Sequence, residues 1–303
     1  MTDRKAFLEA IAEQPDDDAP RLVFADWLDD HGDHQRAELI RVQCELPRLR
    51  ADDPRRAELA RREDELLTAH GQRWAAALPG DAEHWSQRSP QGEWRWRRGF
   101  PREAECPAQE FVERAEEVLH NDVLQDWTIT LNLDYDRPDV EDDGWVERLA
   151  ASPRLRLVRK VDGPDSGFGP RRFAILMRSP HLTGLRDIDL FEDTIGLEGV
   201  RALVEAPCPF RLERLCLNGA INIYADEETP DAVEAVRLLA SSPKLAGLEY
   251  LGLYYNGLGE GAVAALVASP YLSRSLLLEF EEGDELPGHL ADALRGRFER
   301  CSV

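Results

Sequence analysis

Leu185-Arg-Asp-Ile-Asp-Leu190, Leu212-Glu-Arg-Leu-Cys-Leu217 and Leu248-Glu-Tyr-Leu-Gly-Leu253 write one pattern three times, with leucine or isoleucine at the first, fourth and sixth positions. Each copy opens five residues after a proline that follows a small residue, at Ser179-Pro180, Ala206-Pro207 and Ser242-Pro243. Ser152-Pro153 and Ser269-Pro270 extend the series, and successive prolines stand 27, 27, 36 and 27 residues apart. The long step is one period plus nine residues, and the insertion falls within 221–230. After Pro270 the copy weakens: Leu278 and Phe280 match, but Ser275 stands where the first leucine belongs.

Upstream of the prolines, 145–151, 173–177, 200–204, 232–239 and 263–267 carry apolar residues at helical spacing. Proline cannot continue a helix, so each of these stretches is predicted to stop there. One strand and one helix per period predicts an α/β fold of repeated units. A strand of three apolar side chains could bury about 5 kcal/mol of transfer free energy at roughly 1.5–3 each. A single unit has nothing to bury it against, so the units must stack.

The period and the pattern resemble the leucine-rich repeat family, in particular the longer αβ type of ribonuclease inhibitor. That resemblance implies a right-handed solenoid with a parallel sheet on its concave side and helices on its convex side. It also implies an asparagine eight residues after the first leucine, its amide bonded to backbone groups at the turn. Asn256 fits and is followed by Gly257 and Leu258, whereas Asp193 and Ala220 hold the position in the other copies. The acidic insertion with Asp226, Glu227 and Glu228 is expected to bulge from the stack. Before Trp145 the period fades, although Gly99 to Cys106 as a strand, 109–120 as a helix and 127–133 as a strand read as two degenerate leading repeats. At the far end 287–298 reads as a closing helix, with Leu290, Leu294 and Phe298 on one face and Arg295, Arg297 and Arg300 outside it.

The first fifty residues read as three helices. One carries Phe7, Leu8 and Ile11. The next starts at Pro20 with Leu22, Val23, Trp27 and Leu28 inward and ends at Gly32. A third, from near Arg36, carries Leu39, Ile40, Val42 and Leu46. A fourth, 55–69, is an ordinary amphipathic helix of alternating charge. The run Pro20-Arg-Leu-Val-Phe-Ala-Asp-Trp-Leu-Asp-Asp-His-Gly-Asp33, followed by Arg36-Ala-Glu-Leu-Ile-Arg-Val-Gln43, resembles the bacterial repeat-companion domain. Glu65-Leu-Leu-Thr-Ala-His-Gly71, Trp74, Leu78-Pro79 and Arg98-Gly-Phe100 carry the resemblance over the first third of the chain. That family accompanies leucine-rich repeats and brings no biochemical activity with it. The expected division is a helical module at 1–80, a transition with degenerate repeats at 81–143, leucine-rich repeats at 144–286 and a capping helix at 287–303.

The 59 acidic against 37 basic residues give a formal net charge of −22, a field that repels nucleic-acid backbones and anionic membrane surfaces. No apolar run approaches the roughly 20 residues that span a bilayer, and the N-terminus turns acidic early, so a cytoplasmic, soluble protein is expected. Five scattered cysteines without a C-x-x-C pair suit reduced thiols.

The cluster Asp26, Asp29, Asp30, His31 and Asp33 fails as a calcium loop, because Gly32 in the sixth place puts Trp27 first, where a carboxylate is required. The spacing of His31 and His34 matches no zinc signature, so capping carboxylates around a helix turn are expected instead. In Trp94-Arg-Trp-Arg-Arg-Gly-Phe100 aromatics beside arginines could stack single-stranded bases. The net charge favours packed tryptophans, with arginines that meet surplus carboxylates.

There is no G-x-S-x-G, Walker loop or H-E-x-x-H, and 163–169 reads as a turn-rich linker. No catalytic, cofactor or metal residue is assigned. Residues alternating with the buried leucines form the candidate protein-binding set: Asp187, Asp189, Phe191, Arg214, Asn218, Tyr250, Tyr254, Glu279 and Glu281, with Cys216 and Gly252 between them. Aromatic anchors among carboxylates suit another protein with a basic or partly apolar surface. The expected function is a non-catalytic scaffold, adaptor or inhibitor of a bacterial regulatory or signalling protein. Alternatives are a partner released by protease cleavage at 138–144, 162–170 or 220–230, and an enzyme of unrecognised type.

Overall fold

The structure is a computed structural model that describes residues 2–76, 78, 95–119, 122–124, 126–131, 143–222, 227–280 and 286–303. Pro79, Trp94, Glu281 and parts of the loops 138–144 and 220–230 lie outside the described residues. By internal contacts the chain forms two units, Met1–Cys106 with Val112–Trp127, and Pro107–Phe111 with Thr128–Val303.

The first unit opens with four helices, α1 (Thr2–Glu13), α2 (Ala19–Asp30), α3 (His34–Glu45) and α4 (Pro54–Ala75). Leu8, Ile11, Phe24, Ala25, Leu28, Leu39 and Ile40 are all buried. The expected inward face of α2 needs correction. Val23 is 55% exposed, while Arg21 is fully buried beside Phe24 and Ala25. Arg21 turns inward because its guanidinium donates to the Pro15 and Asp17 carbonyls, at 2.8 and 2.5 Å, just past the end of α1. Burial, followed by the nearby Arg98, lowers its pKa to about 10, which leaves it cationic at neutral pH. Helix α4 runs to Ala75, six residues beyond the expected end at Ala69. Asp53 caps it by accepting from the Arg55 N–H.

A hairpin follows, β1 (Trp96–Arg97) and β2 (Phe100–Pro101). Its two turn residues, Arg98 and Gly99, have φ of 50° and 82°, the left-handed pair a two-residue hairpin needs. A Cβ on Gly99 would collide with Ile40 Cγ1, so this glycine is a turn residue pressed on α3 and does not open a strand as expected. Then come β3 (Glu103–Pro107), α5 (Phe111–Leu119) and β4 (Asp126–Thr130), the strand, helix and strand that the faded leading repeats predict.

The periodic half alternates helix and strand. It contains α6 (Gly144–Ala151), β5 (Val158–Asp162), α7 (Gly169–Met177), β6 (Asp187–Asp189), α8 (Gly196–Glu205), β7 (Arg214–Cys216), α9 (Pro230–Ala240), β8 (Tyr250–Gly252), α10 (Glu260–Val267), β9 (Leu277–Glu279), α11 (Gly288–Arg297) and β10 (Arg300–Ser302). The sheet has eight strands in the order β10-β9-β8-β7-β6-β5-β4-β3. This is an α/β architecture in which neighbouring strands from β5 to β10 pair in parallel.

The registers carry the sequence period. Lys160 pairs with Asp187, Asp187 with Arg214, Arg214 with Tyr250 and Tyr250 with Leu277, steps of 27, 27, 36 and 27 residues that repeat those of the prolines. Val161, Ile188, Leu215, Leu251 and Leu278 consequently lie in one row, each fully buried. Leu149, Leu176, Leu203, Leu239 and Leu266 recur at the same steps on the helices and are equally buried. Each helix from α6 to α11 packs against the next. The backbone repeats too. Asp165, Glu192, Gly219 and Tyr255, one per period, all have φ between 48° and 66°.

At Pro153 and Pro270 the preceding serine caps the turn. Ser152 Oγ accepts from the Arg154 N–H, and Ser269 Oγ accepts from the Tyr271 and Leu272 N–H groups while donating to the Ala240 carbonyl of the preceding period. The segment 163–169 is tied down where a linker was expected. The Gly163 and Asp165 N–H groups donate to the Asp189 and Phe191 carbonyls at 2.8 Å, and Phe168 is buried against Trp145. At the C-terminus Leu290, Leu294 and Phe298 are buried as expected. Two features differ. Arg297 donates to the Ser269 and Leu272 carbonyls and so turns back onto the fold. Beyond α11, β10 adds a parallel strand with Cys301 opposite Leu278.

Candidate functional site

Side chains alternate across a strand, so the face opposite the leucine row presents two lines of residues. One runs Lys160, Asp187, Arg214, Tyr250, Leu277 and Arg300, and the other Asp162, Asp189, Cys216, Gly252, Glu279 and Ser302. The parallel register thus brings Asp187, Asp189, Arg214, Tyr250 and Glu279 of the expected set together. Asn218, Phe191 and Tyr254 follow at the strand ends.

These side chains are linked to one another along the face. Lys160 Nζ is 2.7 Å from Asp162 Oδ1, and Arg214 Nε is 3.5 Å from Asp187 Oδ2. The Arg214 guanidinium lies 4.3 Å from the centre of the Tyr250 ring, a cation–π contact. The Tyr250 hydroxyl donates to Glu279 Oε2 at 2.6 Å. Gly252 makes room for this arrangement: a Cβ there would meet Asn218 Oδ1 at 2.6 Å and the Tyr250 hydroxyl oxygen at 2.8 Å. Asn218 Oδ1 in turn accepts from the Tyr254 N–H at 2.8 Å.

The electrostatics follow from this half-buried ladder. Burial raises the Asp187 carboxyl above the ordinary range, against the pull of Lys160 and Arg214. For Lys160 burial acts to lower the pKa, but its bond to Asp162 and the surrounding carboxylates win, and the net shift is upward. Burial pushes the Cys216 thiol up to about 11, so it is neither a thiolate nor a ready nucleophile at neutral pH. Tyr250 is also raised, by burial and then by Glu279.

Exposure sorts the expected residues. Tyr250 and Asn218 are buried and act as struts; Asp187, Asp189, Phe191, Tyr254 and Glu279 are half-buried; Arg214 is exposed. Glu281 is among the residues not described. Tyr255, absent from the expected set, is 53% exposed and stands 3.8 Å, ring centre to ring centre, from Tyr254. Its left-handed backbone is unusual for a bulky residue. Only structural repetition exposes this, because Asp165, Glu192 and Gly219 fill the same place in the other periods.

Behind the face, the turns are held from inside. Asn256 is fully buried. Its Oδ1 accepts from the Ile221 and Asn222 N–H groups, and its Nδ2 donates to the Leu217, Leu253 and Tyr254 carbonyls. Glu228, expected in a loop bulging outward, instead caps α10 by accepting from the Gly259, Gly261 and Ala262 N–H groups at 2.7–2.9 Å.

In the first unit the acidic cluster is ion-paired; the caps expected of it are not formed. Asp26 and Asp29 bind Arg41, Asp29 also meets His34, and Asp33 approaches Arg73. Among the described residues no three His, Cys, Asp or Glu side chains converge as metal ligands. Trp96 packs edge-on against Trp74, 5.8 Å away, while Arg95 and Arg97 pair with Glu103 and Asp126. Among the described residues no helix is long and apolar enough to cross a membrane.

No protein-family model matches this chain, and no curated protein matches it either.

Proposed function

We propose that the periodic half is a leucine-rich-repeat solenoid, that the first unit is its repeat-companion module, and that the sheet face bearing Asp187, Arg214, Tyr250 and Glu279 holds another protein. The observation that carries this reading is the register. Strands that pair at the sequence period set equivalent residues side by side, and five periods contribute to one continuous surface whose side chains are already fixed by mutual contacts. Binding to such a surface loses little side-chain entropy, at roughly 0.5–1.5 kcal/mol saved per immobilised chain. Phe191, Tyr254 and Tyr255 are the aromatic anchors, and the surplus of carboxylates over the whole chain selects a partner with a basic, partly apolar surface. The role is that of a cytoplasmic adaptor or inhibitor with no chemistry of its own.

The test compares the intact chain with a Phe191→Ala/Tyr254→Ala/Tyr255→Ala variant as baits in lysate of the native host. Both baits are first shown to unfold at comparable urea concentration. Loss of the same specific proteins from the variant is the expected result. Retention of every captured protein refutes binding through this face.

A further inference from the structure

A cavity of about 310 Å3 lies within the first unit, lined by Arg4, His31, Arg36, Arg73 and Trp74 together with Asp33 and Asp122. The sheet face plays no part in it. Pockets of roughly 300 Å3 and above are large enough for small ligands. The lining opposes the chain's overall charge: three arginines stand against two carboxylates, in a protein of net charge −22. The charged groups that an ion would touch there are mostly cationic, unlike the protein as a whole, and such a lining suits an anion.

The donor inventory is the second observation. Arg36 is only 4% exposed. Its Nη2 donates to both oxygens of Asp122, at 3.0 and 3.2 Å, yet Nε has no hydrogen-bond partner. The guanidinium is packed among the rings of Trp74, Trp96 and Phe100, 4.8–5.3 Å from their centres. Those rings supply attraction and no acceptor atom. Trp74, 5% exposed, likewise has an indole N–H without a partner. Buried donors left unpaired cost about 1–3 kcal/mol each, so each calls for an explanation, a bound ion among them. Arg73, extended toward Asp33 at 3.5 Å, and Arg4 add cationic donors from two other helices.

We propose that this cavity is a binding site for a small oxyanion, a phosphate or carboxylate group, gripped by Arg4 and Arg73 and by the guanidinium edge of Arg36 beside the Trp74 indole N–H. Arginine forks match the paired oxygens of both groups. Asp122 holds Arg36 in place and partly neutralises it.

The experiment uses the full chain, labelled with nitrogen-15, and follows the Arg36 Nε–H and Trp74 Nε1–H resonances during titration with inorganic phosphate, phosphoserine, citrate and, at matched ionic strength, sodium chloride. Saturable shifts of both resonances with an oxyanion and not with chloride are expected. The phosphate and citrate arms tell which group the site prefers. Arg4→Gln/Arg73→Gln should weaken binding about tenfold or more per lost charged contact while the spectrum of the second unit stays unchanged. Absence of saturable shifts, equal shifts with chloride, or undiminished binding by the variant overturns the proposal.

Discussion

Asn256→Ala removes the side chain that joins two consecutive turns. The amide serves two N–H and three carbonyl groups. The Leu217 and Tyr254 carbonyls keep the Ala220 and Gly219 N–H groups, at 3.1 and 2.7 Å. The loss therefore falls on the Ile221 and Asn222 N–H groups and on the Leu253 carbonyl. Asn222 is half-buried and can turn to water, whereas Leu253 is fully buried and Ile221 nearly so. Two buried groups at about 1–3 kcal/mol each give an expected loss of about 2–6 kcal/mol. Asn256→Asp keeps the acceptor side but turns an oxygen toward the carbonyls, so at neutral pH it should fare no better than alanine. Urea unfolding followed by far-ultraviolet circular dichroism is the assay, with hydrogen exchange at the Ile221 amide as a local readout, because repeat arrays do not always unfold in a single step. A loss under about 1 kcal/mol with unchanged Ile221 protection would refute the assignment of Asn256 as the internal tie.

Three further outcomes are expected. Glu228→Ala should lower stability by about 1–2 kcal/mol and speed exchange of the Gly261 and Ala262 amides, whose bonds to that carboxylate cap α10; unchanged exchange would mean the cap is absent in solution. Tyr255→Gly should raise urea resistance by about 1 kcal/mol through relief of the left-handed backbone while weakening partner capture; lowered resistance would mean the ring is a packing element. Burial raises the Asp193 carboxyl, against the Ser166 hydroxyl and the Gly169 and Phe168 N–H groups. A folded value above the unfolded one means that stability from this group is complete below the unfolded value and is lost as pH rises through the folded one. The substitution Asp193→Asn should thus exceed the parent in stability near neutral pH and lose that advantage in acid; a pH-independent difference in urea midpoint would contradict this.

The periodic half is legible in the sequence because its period is enforced by stacking. A leucine that must meet its equivalent in the next unit leaves a mark at fixed spacing, and Ile188, Leu215 and Leu251 lie in one row accordingly. Asn256 is legible only through the resemblance to leucine-rich repeats, since Asp193 and Ala220 hold its place in the other copies. What escapes are features in which a polar side chain satisfies backbone at a distance. Charge alone puts Arg21 outward, which displaces the expected inward face of α2 toward Val23. Glu228 looks like part of an acidic loop because its partners stand more than thirty residues away. Segment 163–169 has the composition of a linker, yet its Gly163 and Asp165 N–H groups continue the ladder of the strands. Strand β10 has only the half-buried Cys301 in line with Leu278, with no leucine pattern to announce it. Tyr250 reads as a free anchor because alternation puts it on the open face; that Glu279 and Arg214 enclose it depends on the cross-strand register, which a single strand does not contain.

The most direct measurement is of the register itself. Nuclear Overhauser contacts between backbone protons of a deuterated, amide-labelled chain should connect the strand segments in series, Lys160 to Asp187 to Arg214 to Tyr250 to Leu277, across strands about 4.8 Å apart. Contacts in this order, with the geometry of parallel neighbours and the same 27- and 36-residue steps as the prolines, are the predicted result. Antiparallel contacts between these segments, or contacts that skip from one segment to a non-adjacent one, would contradict it.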